Sequence, residues 1–332
     1  MNPMKIVRTI EVPTGQIFIG QTDRGLVEFL SLADYGKEKN IKCDAMGLTR
    51  PLGRVNHSEP LPLSEKWAVT ISTQYGCSMG CRFCDVPKVG PGVNISEIDM
   101  LAMVRHSVSR ETVHTKRLNI HFARMGEPTF NPDVIKAARS LKDIYQKPNS
   151  MGFADTVHPV VSTMMPCYNK HLERFLSDWL EFKTASQGEA GLQLSINSTS
   201  RVERHRMFNG RALMLSEIAP LMQGLIKRHG VVGRKITLNF ALAGYTIDAG
   251  YLAKLFDPRY FLIKLTPMHK TRAALSSGIE TKGDYTTFEP YAETEEALKA
   301  VGFDVLVFIA SKEEDESRIT CGNAILSDKG LQ

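Results

Sequence analysis

Cys77-Ser78-Met79-Gly80-Cys81-Arg82-Phe83-Cys84 gathers three of the chain's six cysteines into eight residues. Gaps of three and two residues let one loop turn three thiolates toward one point, the way soft metals and iron–sulfur clusters are held. Three ligands are one too few for a closed structural zinc site, whereas a catalytic centre keeps a position open. No second C-x-x-C or C-x-x-H pair occurs in the sequence. A structural zinc knuckle, or a chance grouping of buried thiols, is the plain alternative.

Outward from this loop the pattern alternates strand and helix. Apolar, β-branched runs at 67–73, 118–123, 157–163, 192–197, 236–242, 261–266 and 305–310 predict strands. Helical periods lie between them. One starts at Ser96 with Asp99 three residues on, and another at Asn131-Pro132. Later ones cover 172–182, 216–229 before Gly230, and 294–301 before Gly302. Six or seven βα units imply parallel strands, which a doubly wound sheet and a barrel both satisfy. The cysteine-rich and polar motifs fall just after strands, the end that carries active sites in either architecture.

Ahead of residue 62 the reading changes. Runs at 5–12 and 16–21 predict two short strands around a Pro-Thr-Gly turn, and 25–35 predicts a helix. Pro51, Gly53, Pro60 and Pro62 then break the chain, so a boundary near 62 separates a small β-rich accessory segment (1–62) from the main unit (63–332).

The 332 residues, 42% of them hydrophobic, suffice for one large core. The N-terminal stretch has charges and Pro where a signal peptide needs an apolar run, and no stretch reaches transmembrane length, so a soluble cytoplasmic protein is expected. Clustered cysteines fit a reducing compartment and metal chemistry better than a disulfide scaffold. A net charge of +5 and a pI near 8.8 permit a polyanionic partner without requiring one.

The cysteine loop resembles the radical S-adenosylmethionine (SAM) signature, C-x3-C-x2-C with an aromatic, here Phe83, before the last cysteine. The resemblance implies that Cys77, Cys81 and Cys84 hold a 4Fe-4S cluster whose fourth iron binds SAM, giving a 5'-deoxyadenosyl radical on reduction. It also implies a partial (β/α)6 barrel. Residues from about 67 to 325 are similar, in the same order, to the RlmN/Cfr RNA methyltransferases. Ser72-Thr73-Gln74-Tyr75-Gly76-Cys77 resembles S-S-Q-x-G-C, and Arg124-Met125-Gly126-Glu127-Pro128 resembles G-M-G-E-P. Ser162-Thr163 matches S-T, Ser195-Ile196-Asn197 matches S-L-H, and Leu265-Thr266-Pro267-Met268-His269 stands for L-I-P-W-N. By this resemblance Gly126, Glu127, Ser162, Ser195, Asn197 and His269 are the SAM-binding candidates. Cys321-Gly322-Asn323 resembles C-G-Q, which makes Cys321 the methyl-carrying cysteine.

One departure bears on mechanism. The family has a second cysteine, acting as base and releasing thiol, where this chain has Thr70. Cys43 and Cys167 are the substitutes to consider. Arg201, Arg204, His205, Arg206 and Arg211 form a basic run that either grips phosphates or starts a solvated helix, and Glu313 to Glu316 reads as a solvated loop. The first reading is a monomeric methyltransferase acting on RNA, reduced by a flavodoxin or ferredoxin. A radical SAM isomerase, mutase or dehydrogenase without a methyl-cysteine is the alternative, and a zinc-stabilised nucleic-acid binder the third.

Overall fold

A computed structural model describes residues 4–34, 60–146, 153–279, 288–310, 312–319 and 323–326. The chain opens with an antiparallel meander of β1 (Lys5–Val12), β2 (Gly15–Thr22) and β3 (Gly25–Ala33). Two strands were expected here and are present. The third replaces the helix expected over 25–35, a correction with a clear cause. Along β3, Val27 and Phe29 enter the main core, and Ser31 on that face accepts from Trp67 Nε1 at 2.8 Å. Leu26, Leu30 and Leu32 enter a second cluster with Ile319, Ala324 and Ile325 on the other face. A strand covered on both faces reads as a continuous apolar run and hides its period of two.

β3 pairs antiparallel with β4 (Trp67–Ile71), so residues 1–62 contribute strands to the same sheet as the rest. From β4 the sheet is parallel and strictly sequential through β7 (Thr115–Phe122), β8 (Ala154–Thr163), β9 (Gly191–Ser195), β10 (Ile236–Leu242), β11 (Phe261–Pro267) and β12 (Asp304–Val307). Among the described residues ten strands join this sheet, seven of them parallel. β5 (Gln74–Gly76) and β6 (Pro91–Asn94) form a separate ribbon around the cysteine loop.

The crossovers are α1 (Glu97–Val108), α2 (Asp133–Tyr145), α3 (Leu172–Ala185), the pair α4 (Arg201–Met207) and α5 (Leu215–His229), α6 (Ala249–Leu255), and the pair α7 (Arg272–Ser276) and α8 (Glu289–Ala300). Ser96 caps α1 by accepting from Asp99 N, as its spacing predicted. Met100, Leu141, Trp179, Met222 and Leu298 of these helices share one core with Val69, Ile120, Val161, Leu238 and Leu265 of the sheet. β10 and β11 alternate between fully and partly buried residues, so the helices cover one face. The opposite face is polar. Thr70 and His121 lie in register there, as do Asn119 with His158, Ser162 with Gln193, and Ser195 with Asn239.

Candidate active site

The cysteine loop leaves β4 at the C-terminal end of the parallel strands. Thr73 N and Gln74 N donate to Met125 O at 2.8 and 3.2 Å, which ties its start to the loop after β7. Gly76 then turns with φ of 77°, where a Cβ would stand 2.0 Å from Gly90 O, so only glycine fits. On one flank Arg82 N donates to Met207 O, Arg211 Nη1 to Ser78 O, and the Phe83 ring meets Phe208 edge-on at 5.8 Å. On the other, Thr271 Oγ1 donates to Phe83 O at 2.6 Å and Ser277 Oγ to Arg82 O at 2.9 Å. The Asp85 carboxylate accepts from Arg272 N and Ala273 N at the start of α7. The segments after β7, β9 and β11 thus hold the loop that carries the octapeptide.

Cys77, Cys81 and Cys84 border a common apolar cluster with Met79, Met207, Phe208 and Ala212. Burial, with the neighbouring thiols adding to it, pushes Cys81 well above the usual thiol range. Burial likewise pushes Cys77 up to about 12 and Cys84 up to about 11. Bare, they are thiols at neutral pH; coordination to a cation deprotonates a thiol outright. Among the described residues no three His, Cys, Asp or Glu side chains converge tightly enough for a single metal ion. By their chemistry, three cysteine thiols are the soft donors that an iron–sulfur cluster takes.

Gly126 follows the same logic as Gly76, with φ of 94° and a built Cβ 2.5 Å from Gln74 Cβ. Gln74 Oε1 accepts from Glu127 N at 2.9 Å. The buried Glu127 carboxylate accepts from Thr129 N at 3.1 Å, Thr129 Oγ1 at 2.7 Å and Thr163 Oγ1 at 2.7 Å on Oε1, and from Met164 N at 2.8 Å on Oε2. Burial raises its pKa and these donors oppose the rise. Oε2 keeps acceptor capacity for a further donor.

The remaining candidates sit at or just beyond strand ends. Ser162 Oγ, on β8, accepts from Gln193 Nε2 at 3.2 Å. Ser195 ends β9 on the polar face. Asn197 adopts φ of 62°, a conformation Asn tolerates, and its Oδ1 accepts from Ala241 N at 3.0 Å. His269 follows β11, and its Nδ1 lies 2.6 Å from Asp315 Oδ1. That pair corrects the solvated-loop reading of 313–316: α9 (Lys312–Glu316) forms there, with Glu314 buried. The basic run divides. Arg204 is wholly buried, donating to Leu213 O, Ser195 O, Ile196 O and Met164 O, so it is a structural strut; Arg201, His205, Arg206 and Arg211 stay exposed.

Sequence reading missed a buried ion pair between Glu28 of β3 and Arg124. Arg124 Nη1 and Nη2 donate to Ile319 O and Arg318 O at 3.1 and 2.8 Å, while Glu28 Oε2 accepts from Ala324 N and Ile325 N at 2.6 and 3.2 Å. Ile319, Ala324 and Ile325 share an apolar cluster that Cys77 and Cys84 border. Cys321 and Cys43 lie outside the described residues. Cys167 is exposed on the loop after β8, its Sγ 3.5 Å from Gly210 O. A lone Glu within an apolar run was the available signal for Glu28.

No protein-family model matches the chain. It is 26% identical over 289 residues to a dual-specificity RNA methyltransferase RlmN 2 of Myxococcus xanthus, covering 84% of this chain and 69% of that relative. It is 29% identical over 213 residues to a probable dual-specificity RNA methyltransferase RlmN of Porphyromonas gingivalis, covering 62% of this chain and 55% of the relative's length. The chain thus spans roughly half to two thirds of the length of these two relatives. A radical SAM methyltransferase from Sphaerobacter thermophilus has a similar fold, with a TM-score of 0.66 at 20% identity over 97% of this chain and 81% of that one. Among the described residues no helix is long and apolar enough to cross a membrane. In its sequence the chain is similar to the RlmN RNA methyltransferases, and in its fold to a radical SAM methyltransferase.

Proposed function

We propose that the protein is a radical SAM methyltransferase that modifies a nucleobase in RNA, with Cys321 as methyl carrier. The observation that carries this reading is the octapeptide itself: three thiols bordering one apolar cluster, in a loop held beside Gly126-Glu127 by the segments after β7, β9 and β11. Cys77, Cys81 and Cys84 would hold a 4Fe-4S cluster, and Gly126, Glu127, Ser162, Ser195, Asn197 and His269 would seat SAM. Together those groups supply one-electron chemistry once an external reductant such as a flavodoxin or ferredoxin delivers the electron.

The chain's own part is positional. Four donors orient the Glu127 carboxylate and leave Oε2 able to accept from the SAM ammonium. Support for Cys321 as carrier comes from its flanks, which Glu28 and Arg124 grip beside two of the three loop cysteines. In this reading residues 1–62 are an accessory unit to the barrel of 63–332, and their contribution is to present Glu28.

A second reading, an isomerase, mutase or dehydrogenase of the same superfamily without a methyl-cysteine, draws on Thr70. This half-buried residue of β4 stands where a releasing thiol is needed, and disulfide release requires a thiolate. Anaerobically reconstituted protein given methyl-labelled SAM and RNA separates the two. Label on Cys321 and on RNA, both lost in Cys321→Ala, is expected; product formation by Cys321→Ala selects the second reading. Stoichiometric zinc without iron or sulfide overturns both.

A further inference from the structure

Beside the cysteine loop, against the β5–β6 ribbon, lies an open hollow of about 490 Å3 whose lining includes Arg24, Val93, Phe130 and Tyr168. Val93 and Tyr168 are 48% and 45% exposed, an unusual state for large apolar surface so near a buried loop. Phe130 and Tyr168 lie with ring centroids 5.1 Å apart, tilted by 35°. Tyr168 is held by its hydroxyl and Phe130 by its backbone. Tyr168 OH is 3.2 Å from Ser78 Oγ and 3.7 Å from Met79 Sδ, and Asn94 Nδ2 donates to Phe130 O at 2.8 Å.

The amides that also line the hollow are committed to the protein. Gln74 Nε2 donates to Gly92 O and Asn94 Oδ1, and its Oε1 receives Glu127 N. What remains for a ligand is the π surface and the exposed guanidinium of Arg24, which makes no hydrogen bond or ion pair with the described residues. Arg211, bonded to Ser78 O, and the exposed Lys170 and Arg206 extend the positive charge on the same end of the strands. Aromatic faces between cations are what unpaired nucleotides bind: every base has a face to stack, and guanidinium groups take phosphate. A duplex keeps its base faces inside.

We propose that this hollow is a docking subsite for an unpaired base of a single-stranded RNA substrate, stacked on Tyr168 and Phe130 with a neighbouring phosphate on Arg24. Ser78, bonded to Tyr168, directly follows Cys77, so a base parked there lays adjoining nucleotides along the cysteine loop. The inference rests on the RNA-modifying reading above, and its test tells the two apart.

The experiment measures fluorescence anisotropy of a short fluorescein-labelled single-stranded RNA with the reconstituted protein, in a salt series, with iron content checked for each variant. Tyr168→Ala should weaken binding about ten-fold. Tyr168→Phe, which keeps the ring but loses the bond to Ser78, should stay within about two-fold of wild type if stacking is what matters. Arg24→Gln should lower the slope of log affinity against log salt by about 0.7, the share of one phosphate contact on a single strand. RNA affinity and salt slope indifferent to all three changes overturn the subsite, leave the RNA reading standing, and hand the hollow to a protein partner. Equal losses in Tyr168→Ala and Tyr168→Phe with reduced iron also overturn it, because Tyr168 then only props Ser78. A wild type with full iron content that binds no RNA overturns both readings together.

Discussion

The cysteine loop and the C-terminal segment border the same apolar cluster, yet they are held by opposite means. The loop is fixed by backbone: its amides and carbonyls bond to Met125, Gly90, Met207, Thr271 and Ser277, and Gly76 leaves no room for a side chain. Residues 312–319 and 323–326 are held by charged side chains, Arg124 and Glu28 bonding to their backbone and His269 pairing with Asp315. Backbone anchoring fails by steric intrusion. Charge anchoring fails when one partner is removed, because the other is left buried and uncompensated.

Gly76→Val tests the first kind and should have the largest effect. The Cβ meets a carbonyl at 2.0 Å in a left-handed turn, so a cost above about 4 kcal/mol and loss of iron and sulfide on reconstitution are expected. Arg124→Met tests the second. It should cost about 3 kcal/mol in urea unfolding and speed hydrogen exchange over 313–319 while the cysteine loop stays protected. Adding Glu28→Leu should recover much of that cost; no recovery would mean that charge is not what holds the segment.

Glu127→Gln touches the loop after β7, beside the cysteine loop. Replacing a charged acceptor by an amide should weaken SAM binding about ten-fold in equilibrium dialysis with labelled SAM. An unchanged affinity would confine Glu127 to bracing Thr129, Thr163 and Met164. The smallest effect at neutral pH belongs to His158 on the polar face, whose pKa burial, aided by Arg117 and Arg234, lowers from 6.5 to about 3. The folded protein then binds one proton fewer than the unfolded chain between those values, so this contribution is intact above pH 6.5 and is lost as pH falls toward 3. The slope is at most about 1.4 kcal/mol per pH unit, and urea midpoints of His158→Gln should lack it.

By itself the sequence determined the chemistry-bearing loop and the parallel strands that carry it. Cysteine spacing, strand period and helix caps are local signals, set by residues within a few positions of one another, and the strands from Trp67 to Val307 formed close to where those signals put them. Only the tertiary structure decided the rest. β3 became a strand because both of its faces are covered, one by the main core and one by Ile319, Ala324 and Ile325, which lie some three hundred residues further along the chain. Glu28 found Arg124, His269 found Asp315, and Arg204 found four carbonyls for the same reason. A buried charge must be compensated wherever it lands, but nothing in its neighbours along the chain names the partner.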